Sequence, residues 1–145
     1  MKLLLKLCLV TFLLTSCGAK KPKITSSGAT HATKSSNHIP FFDIDTYADD
    51  KEYGLVGEKP VKVGEKSVKN QLRYLASLAG PNGEELSYQR RGACCGYKSE
   101  NGYGGTALVD VYEVTYDGLK KPILVYISFY DSEKLYIPKG FTKSQ

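Results

Sequence analysis

TALVDVYEVTYDGLKKPILVYISFY, residues 106–130, decides the fold. Two runs rich in β-branched and aromatic residues, Thr106–Tyr116 and Ile123–Tyr130, flank the turn-forming segment Asp117-Gly118-Leu119-Lys120-Lys121. That is the pattern of a β-hairpin. The second run alternates, with Ile123, Val125, Ile127 and Phe129 on one face and Leu124, Tyr126, Ser128 and Tyr130 on the other. Setting Tyr116 opposite Pro122 pairs Tyr112 with Tyr126, Leu108 with Tyr130 and Asp110 with Ser128. The aliphatic face then gains Val109 and Val111, but also Glu113, a charge that a one-residue slip or a bulge would remove from it.

Upstream, Pro60-Val61-Lys62-Val63-Gly64 reads as a short strand. From Lys66 to Ala79 the period becomes helical: Val68, Leu72, Leu75 and Ala79 make one apolar stripe, while Lys66, Lys69, Asn70 and Arg73 face water. Ser67 suits the N-cap, and Gly80-Pro81 stops the helix. Glu85–Arg91 is a strand carrying Leu86 and Tyr88. The expected order is strand, helix, then three antiparallel strands. The fold class is therefore α+β: a small, mostly antiparallel sheet with one helix packed on one face.

The remaining third of the chain is of another kind. Lys2 and Lys6 precede an apolar run, Leu7–Leu14, too short for the roughly 20 residues of a membrane-spanning helix. It reads as a signal-peptide core ending in Leu14-Thr15-Ser16-Cys17, which resembles the bacterial lipobox. The resemblance implies cleavage before Cys17 and lipid attachment to its sulfur. Residues 1–16 are thus the signal peptide, 17–38 the lipidated cysteine and a Ser/Thr/Lys-rich flexible tether, and 39–145 a single domain. Multiple acyl chains make such attachment durable, so the membrane is the first partner. The expected location is the cell envelope, with the outer membrane favoured because Gly18 supplies no inner-membrane retention signal.

This processing changes the arithmetic of charge and chemistry. Six of the 20 basic residues lie before residue 39, which leaves 14 against all 15 acidic residues in the domain. Nothing there resembles a nucleic-acid footprint. Both histidines, His31 and His38, belong to the tether, so the domain lacks the usual general base and the commonest metal ligand. Of four cysteines, Cys8 leaves with the signal and Cys17 carries lipid, so Cys94 and Cys95 are the domain's thiols.

Those two lie in RRGACCGYKSENGYGG, residues 90–105, which reads as a glycine-rich loop between strands. Its glycines match neither GxGxxG nor a P-loop, so phosphate is not indicated. Three readings of the cysteines stay open. One is structural, with one cysteine packed inward as a small hydrophobe and the other at a bulge or free. Another is a vicinal disulfide, strained because adjacent Cα atoms sit about 3.8 Å apart, and hence readily reduced. The third is a soft-metal pair. Arg90 and Arg91 would lower the thiol pKa values if close in space. A second candidate site is a tyrosine-bearing sheet face of Tyr112, Tyr126 and Tyr130 with Asp110, adjoined by Tyr97 and the two arginines, suited to a peptide, protein or glycan ligand. Asp110, Glu113 and Asp131 are the acids an enzyme would use, but no spacing singles out a pair. Asp43-x-Asp45 opens like a calcium loop, yet Tyr47 and Ala48 stand where a ligand and the turn glycine belong, so the acidic run reads as a solvated face. No cofactor and no catalytic residue is assigned.

Several segments together resemble a family of short, uncharacterised lipoproteins of Gram-negative bacteria. They are Pro60–Gly64, Arg73-Tyr74-Leu75 through Gly80–Gly83, Ser87-Tyr88 with Arg91–Cys95, Tyr112–Tyr116 with Gly118-Leu119, and Pro138–Thr142. In that family proline and phenylalanine usually follow the cysteine pair, where this chain has Gly96-Tyr97. Members often carry the label 2-dehydro-3-deoxyphosphooctonate aldolase. The label is physically unsupported here, because that enzyme is a cytosolic (β/α)₈ barrel and such barrels take about 200 residues or more. The resemblance implies an envelope lipoprotein; the residues add a binding or interaction module, with thiol redox or soft-metal binding at Cys94-Cys95 as the alternative.

Overall fold

The computed structural model describes residues 41–145. The expected signal peptide, lipidation site Cys17 and tether, with His31 and His38, lie outside the described residues. Seven elements follow in order: β1 (Val61–Lys62), α1 (Val68–Ala76), β2 (Leu78–Ala79), β3 (Ser87–Tyr103), β4 (Thr106–Thr115), β5 (Ile123–Ser128) and β6 (Thr142–Lys143). The main sheet has the order β1-β5-β4-β3, antiparallel except where β1 runs parallel to β5; β2 and β6 form a separate two-stranded ribbon. The α+β architecture with one helix and a mostly antiparallel sheet is as the sequence leads one to expect. The barrel named by the aldolase label is not this fold.

The β4–β5 hairpin forms, but its register is one residue away from the expected one. Tyr112 lies opposite Val125, Asp110 opposite Ile127 and Val111 opposite Tyr126. The slip takes Glu113 off the apolar face and sets it opposite Leu124, where its carboxylate meets Arg91 at 2.8 Å. One face of the hairpin now carries Asp110, Tyr112, Val114, Val125 and Ile127, all buried. The other carries Val111, Glu113, Leu124 and Tyr126, all at least partly open to solvent. The expected grouping of Tyr112 and Asp110 with Tyr126 on one face is therefore corrected: a period of two leaves no middle course once the register moves.

The helix covers the buried face, but with different residues from those expected. Gly64, Glu65 and Lys66 all have positive φ, so α1 cannot begin at Lys66. Ser67 occupies the N-cap position without making a side-chain cap. At the other end the Ser77 hydroxyl donates to the Arg73 carbonyl at 2.7 Å and accepts the Phe42 N–H at 2.9 Å, after which Leu78 and Ala79 leave as a strand. Val68 is 51% exposed, whereas Asn70, Gln71, Tyr74 and Leu75 face inward. Asn70, expected in water, is 4% exposed and donates to the Val63 carbonyl at 3.2 Å. Tyr74, fully buried, satisfies its hydroxyl on the Tyr136 carbonyl at 2.8 Å.

Beneath α1 the core is not wholly apolar. Gln71 Nε2 donates to Asp110 Oδ2 at 2.8 Å and to the Ile127 carbonyl at 3.3 Å, and Gln71 Oε1 accepts from the Tyr112 hydroxyl at 2.9 Å. Arg90 closes the set from β3, its Nη2 reaching Asp110 Oδ1 at 2.6 Å and its Nε at 3.1 Å. One glutamine thus ties the helix to β4 and β5, and one carboxylate ties β4 to β3. Among the described residues every buried side-chain nitrogen or oxygen has a partner.

Because a stranded buried polar group costs about 1–3 kcal/mol, Gln71→Leu should destabilise the protein by at least that much. Tyr112→Phe alone strands the Gln71 Oε1 acceptor and should likewise cost about 1–3 kcal/mol. In the Gln71→Leu background, however, the same change removes a stranded hydroxyl and should be neutral or stabilising. Urea unfolding of the four proteins of this cycle checks the coupling; strictly additive costs would contradict the network.

Candidate functional site

The segment expected as a glycine-rich loop is a strand. β3 continues through it to Tyr103, although Lys98 and Tyr103 both face Thr106 and residues 99–102 have no partner on β4; the chain then turns at Gly104 and Gly105, with φ of 59° and 79°, and returns as β4. The physical reason is partner length: β4 extends well beyond its pairing with β5, and its first residues are bonded by Gly96–Lys98 instead. β3 stays in phase with β4 only by admitting irregularities. Arg90 faces Tyr112 but Gly92 faces Val111, so Arg91 is an extra residue; Cys94 faces Val109 but Gly96 faces Leu108, so Cys95 is another. Each is a β-bulge.

The second bulge explains the cysteines. In a regular strand neighbouring side chains point to opposite faces, and Cys94 and Cys95 could not meet. The bulge turns both to the outer face, where their Sγ atoms lie at disulfide distance with the Cα atoms 3.8 Å apart. Cys94 is half-buried and Cys95 exposed. The first bulge needs its glycine: Gly92 has φ 148°, a conformation that a side chain strongly disfavours.

Facing the pair is a loop built from residues 50–59. The Gly54 N–H donates to the Lys59 carbonyl at 2.7 Å, and the Gly54 carbonyl accepts the Tyr126 N–H at 2.8 Å, fixing the loop to β5. Lys59 clamps it with ion pairs to Asp50 at 2.8 Å and Glu52 at 2.7 Å. Part of the acidic run therefore serves to hold this lysine, and Asp43 pairs with Lys143. The loop comes so close to the cysteines that a Cβ on Gly57 would collide with Cys95 Sγ.

Between loop and bulged strand lies an open cleft of about 600 Å³. Leu55–Glu58 form one wall and Arg91–Cys95 the other; Val111, Leu124 and Tyr126 make the floor. Leu124 is 41% exposed there. The rim is polar, with Glu58 on one side and Arg91, paired to Glu113, on the other.

The candidate residues divide between two faces. Cys94, Cys95, Arg91 and Tyr126 converge on the cleft. Arg90, Asp110 and Tyr112 belong to the network beneath α1, where burial pushes the Tyr112 phenol up to about 12. Arg90 is thus spent on Asp110 and Arg91 on Glu113. Tyr97 donates to Ser128 Oγ at 3.1 Å under the Lys62 ammonium, and its phenol is raised to about 12, chiefly by burial. Tyr130 stacks on Phe129, with ring centroids 4.7 Å apart. Asp131 accepts from Asn101 at 2.7 Å and Ser99 at 2.8 Å; the Asn101 bond is the main reason its carboxyl sits below the usual range. Among the described residues no three side chains of His, Cys, Asp or Glu cluster as a metal site would require.

Sequence reasoning gave no part to the Leu55–Glu58 wall. The available signal was Gly54-Leu55-Val56-Gly57, two glycines bracketing an apolar pair, as close backbone packing requires. Comparison of the chain with protein-family models, with curated proteins and with solved structures finds no match.

The bulge makes unequal demands on its two neighbours. Gly92→Ala forces a side chain into a disfavoured conformation and should cost about 1–3 kcal/mol. Arg91→Ala removes only a surface ion pair and should cost less than about 1 kcal/mol. Urea midpoints of the two variants, measured side by side, check the ranking.

Proposed function

We propose that this chain is a lipid-anchored protein of the bacterial cell envelope, held by Cys17 at the outer membrane, whose domain acts as a binding module. The observation that carries the binding reading is the cleft. Its volume of about 600 Å³ lies within the usual 300–1,000 Å³ of ligand sites. An apolar floor with a few polar groups at the rim is the usual composition of such a site. A peptide segment, an exposed protein loop or a glycan would each set an apolar face on Leu124 and the Tyr126 ring and leave its polar edge to Arg91 and Glu58. The domain's near-neutral charge supplies no nucleic-acid footprint, and the reading calls for no cofactor.

The anchor and the cleft can be tested separately. Radiolabelled palmitate should enter the wild-type protein and not Cys17→Ser, and only the wild type should partition into detergent. A secreted, unlabelled wild-type protein would refute the anchor. For the cleft, peptide and glycan arrays should yield a ligand whose binding is lost in Leu124→Asp. Binding indifferent to that change would move the site elsewhere, and failure on every array would remove the binding reading.

A second reading, thiol redox or soft-metal chemistry, is favoured by the disulfide distance between the Sγ atoms and the exposure of Cys95. Protein purified without reductant should then show no free thiol at Cys94 and Cys95, or carry stoichiometric copper or zinc. Two labelled thiols with no metal would end this reading. Aldolase chemistry draws no support from a small sheet with one helix.

A further inference from the structure

We infer that Cys95 is a site of covalent modification by low-molecular-weight thiols, and that the modification releases the Leu55–Glu58 wall of the cleft. The inference rests on the bonded cysteine pair and on Gly57. It does not depend on the cleft taking a ligand.

Three observations carry it. First, the two sulfurs are unequal. Cys95 is the extra residue of the bulge and is exposed, whereas Cys94 sits in the ladder opposite Val109 and is half-buried. Thiol–disulfide exchange goes to the sulfur that a thiolate can reach. Secondly, Cys95 lines a wide, open cleft that a small thiol can enter from solvent. Thirdly, the wall opposite approaches until not even one Cβ fits between Gly57 and Cys95 Sγ. The unmodified pair and the wall fit together only because residue 57 is glycine.

The exchange balances as follows. A small thiol loses its proton, and its thiolate sulfur attacks Cys95 Sγ. The bond to Cys94 breaks, and the electron pair leaves on Cys94 Sγ, which takes up one proton. The incoming sulfur is oxidised into a mixed disulfide on Cys95 and Cys94 is reduced to a thiol, with no other oxidant or reductant required. The new substituent on Cys95 is far larger than the Cβ that the contact already excludes. On the side of Gly57 there is no room for it, so in this step residues 55–58 move away, loosening the bonds of the Gly54 N–H to the Lys59 carbonyl at 2.7 Å and the Lys59 N–H to the Val56 carbonyl at 3.2 Å.

The test uses the full chain in detergent micelles. Single-thiol variants Cys94→Ser and Cys95→Ser are treated with glutathione disulfide, and adduct formation is followed by mass spectrometry. Cys95 should react faster than Cys94 by on the order of tenfold. Oxidised wild type treated with glutathione should acquire one adduct per chain, and amide exchange at Gly54 and Lys59 should rise by on the order of tenfold. Untreated Gly57→Ala should show the same faster exchange, since its methyl group meets Cys95 Sγ. Preferential reaction at Cys94, an adduct that leaves the two amides unchanged, or a Gly57→Ala protein that exchanges like wild type would each overturn the inference. Reaction with the thiols of an unfolded reduced protein but not with glutathione would overturn it too, by pointing to a macromolecular partner.

Discussion

The Asp110 carboxylate, buried between sheet and helix, is the constraint on which the other features depend. A buried charge is tolerated only with hydrogen-bonding partners on every side. Here these are Arg90 from β3 and Gln71 from α1. Satisfying it fixes the position of the helix over β4 and brings β3 into line with Asp110. It also commits even-numbered β4 residues from Asp110 onward to the inside. Val111, Glu113, Leu124 and Tyr126 must then face outward, and the floor of the cleft follows from that commitment.

The edge strand shows a second constraint at work. β3 is long and lies at the margin of the sheet, where a regular strand would invite pairing with another chain. Bulges at Arg91 and Cys95 spoil that regularity while retaining the pairing with β4. The same distortion reverses the normal divergence of adjacent side chains and lets two neighbouring cysteines meet. A feature of sheet geometry thereby creates the chemically distinctive group of the domain. The loop at Leu55–Glu58, anchored through Gly54 and clamped by Lys59, turns that surface into a cleft.

Much of the fold was legible in the residues. Two alternating runs separated by Asp117-Gly118 specify a hairpin, and the 3.6-residue period before Gly80 specifies a helix, because these signals are local. Glu113 even marked the error in the first register, since a charge among aliphatic side chains needs another place. The site was less legible. Cys94 and Cys95 drew attention by type, but the glycines around them suggested a loop, and a bulged strand has no period to read. Asn70 looked like a solvent-facing residue of an amphipathic helix, and nothing in the helical period singled out Gln71. Their burial depends on acceptors at Val63, Asp110 and Ile127, which no helical wheel displays.

The sequence by itself determined the central hairpin, the single helix, the fold class and the count of cysteines in the domain, all of which follow from local preference and composition. Tertiary structure alone decided which side of the sheet each tyrosine and arginine occupies. That choice turns on a single residue of register, and the register was settled by the partners of Asp110 and Glu113. It alone brought the two cysteines to one face, because a bulge exists only relative to the strand it pairs with. The close approach of Gly57 to Cys95 joins segments nearly forty residues apart, a contact for which periodicity carries no signal.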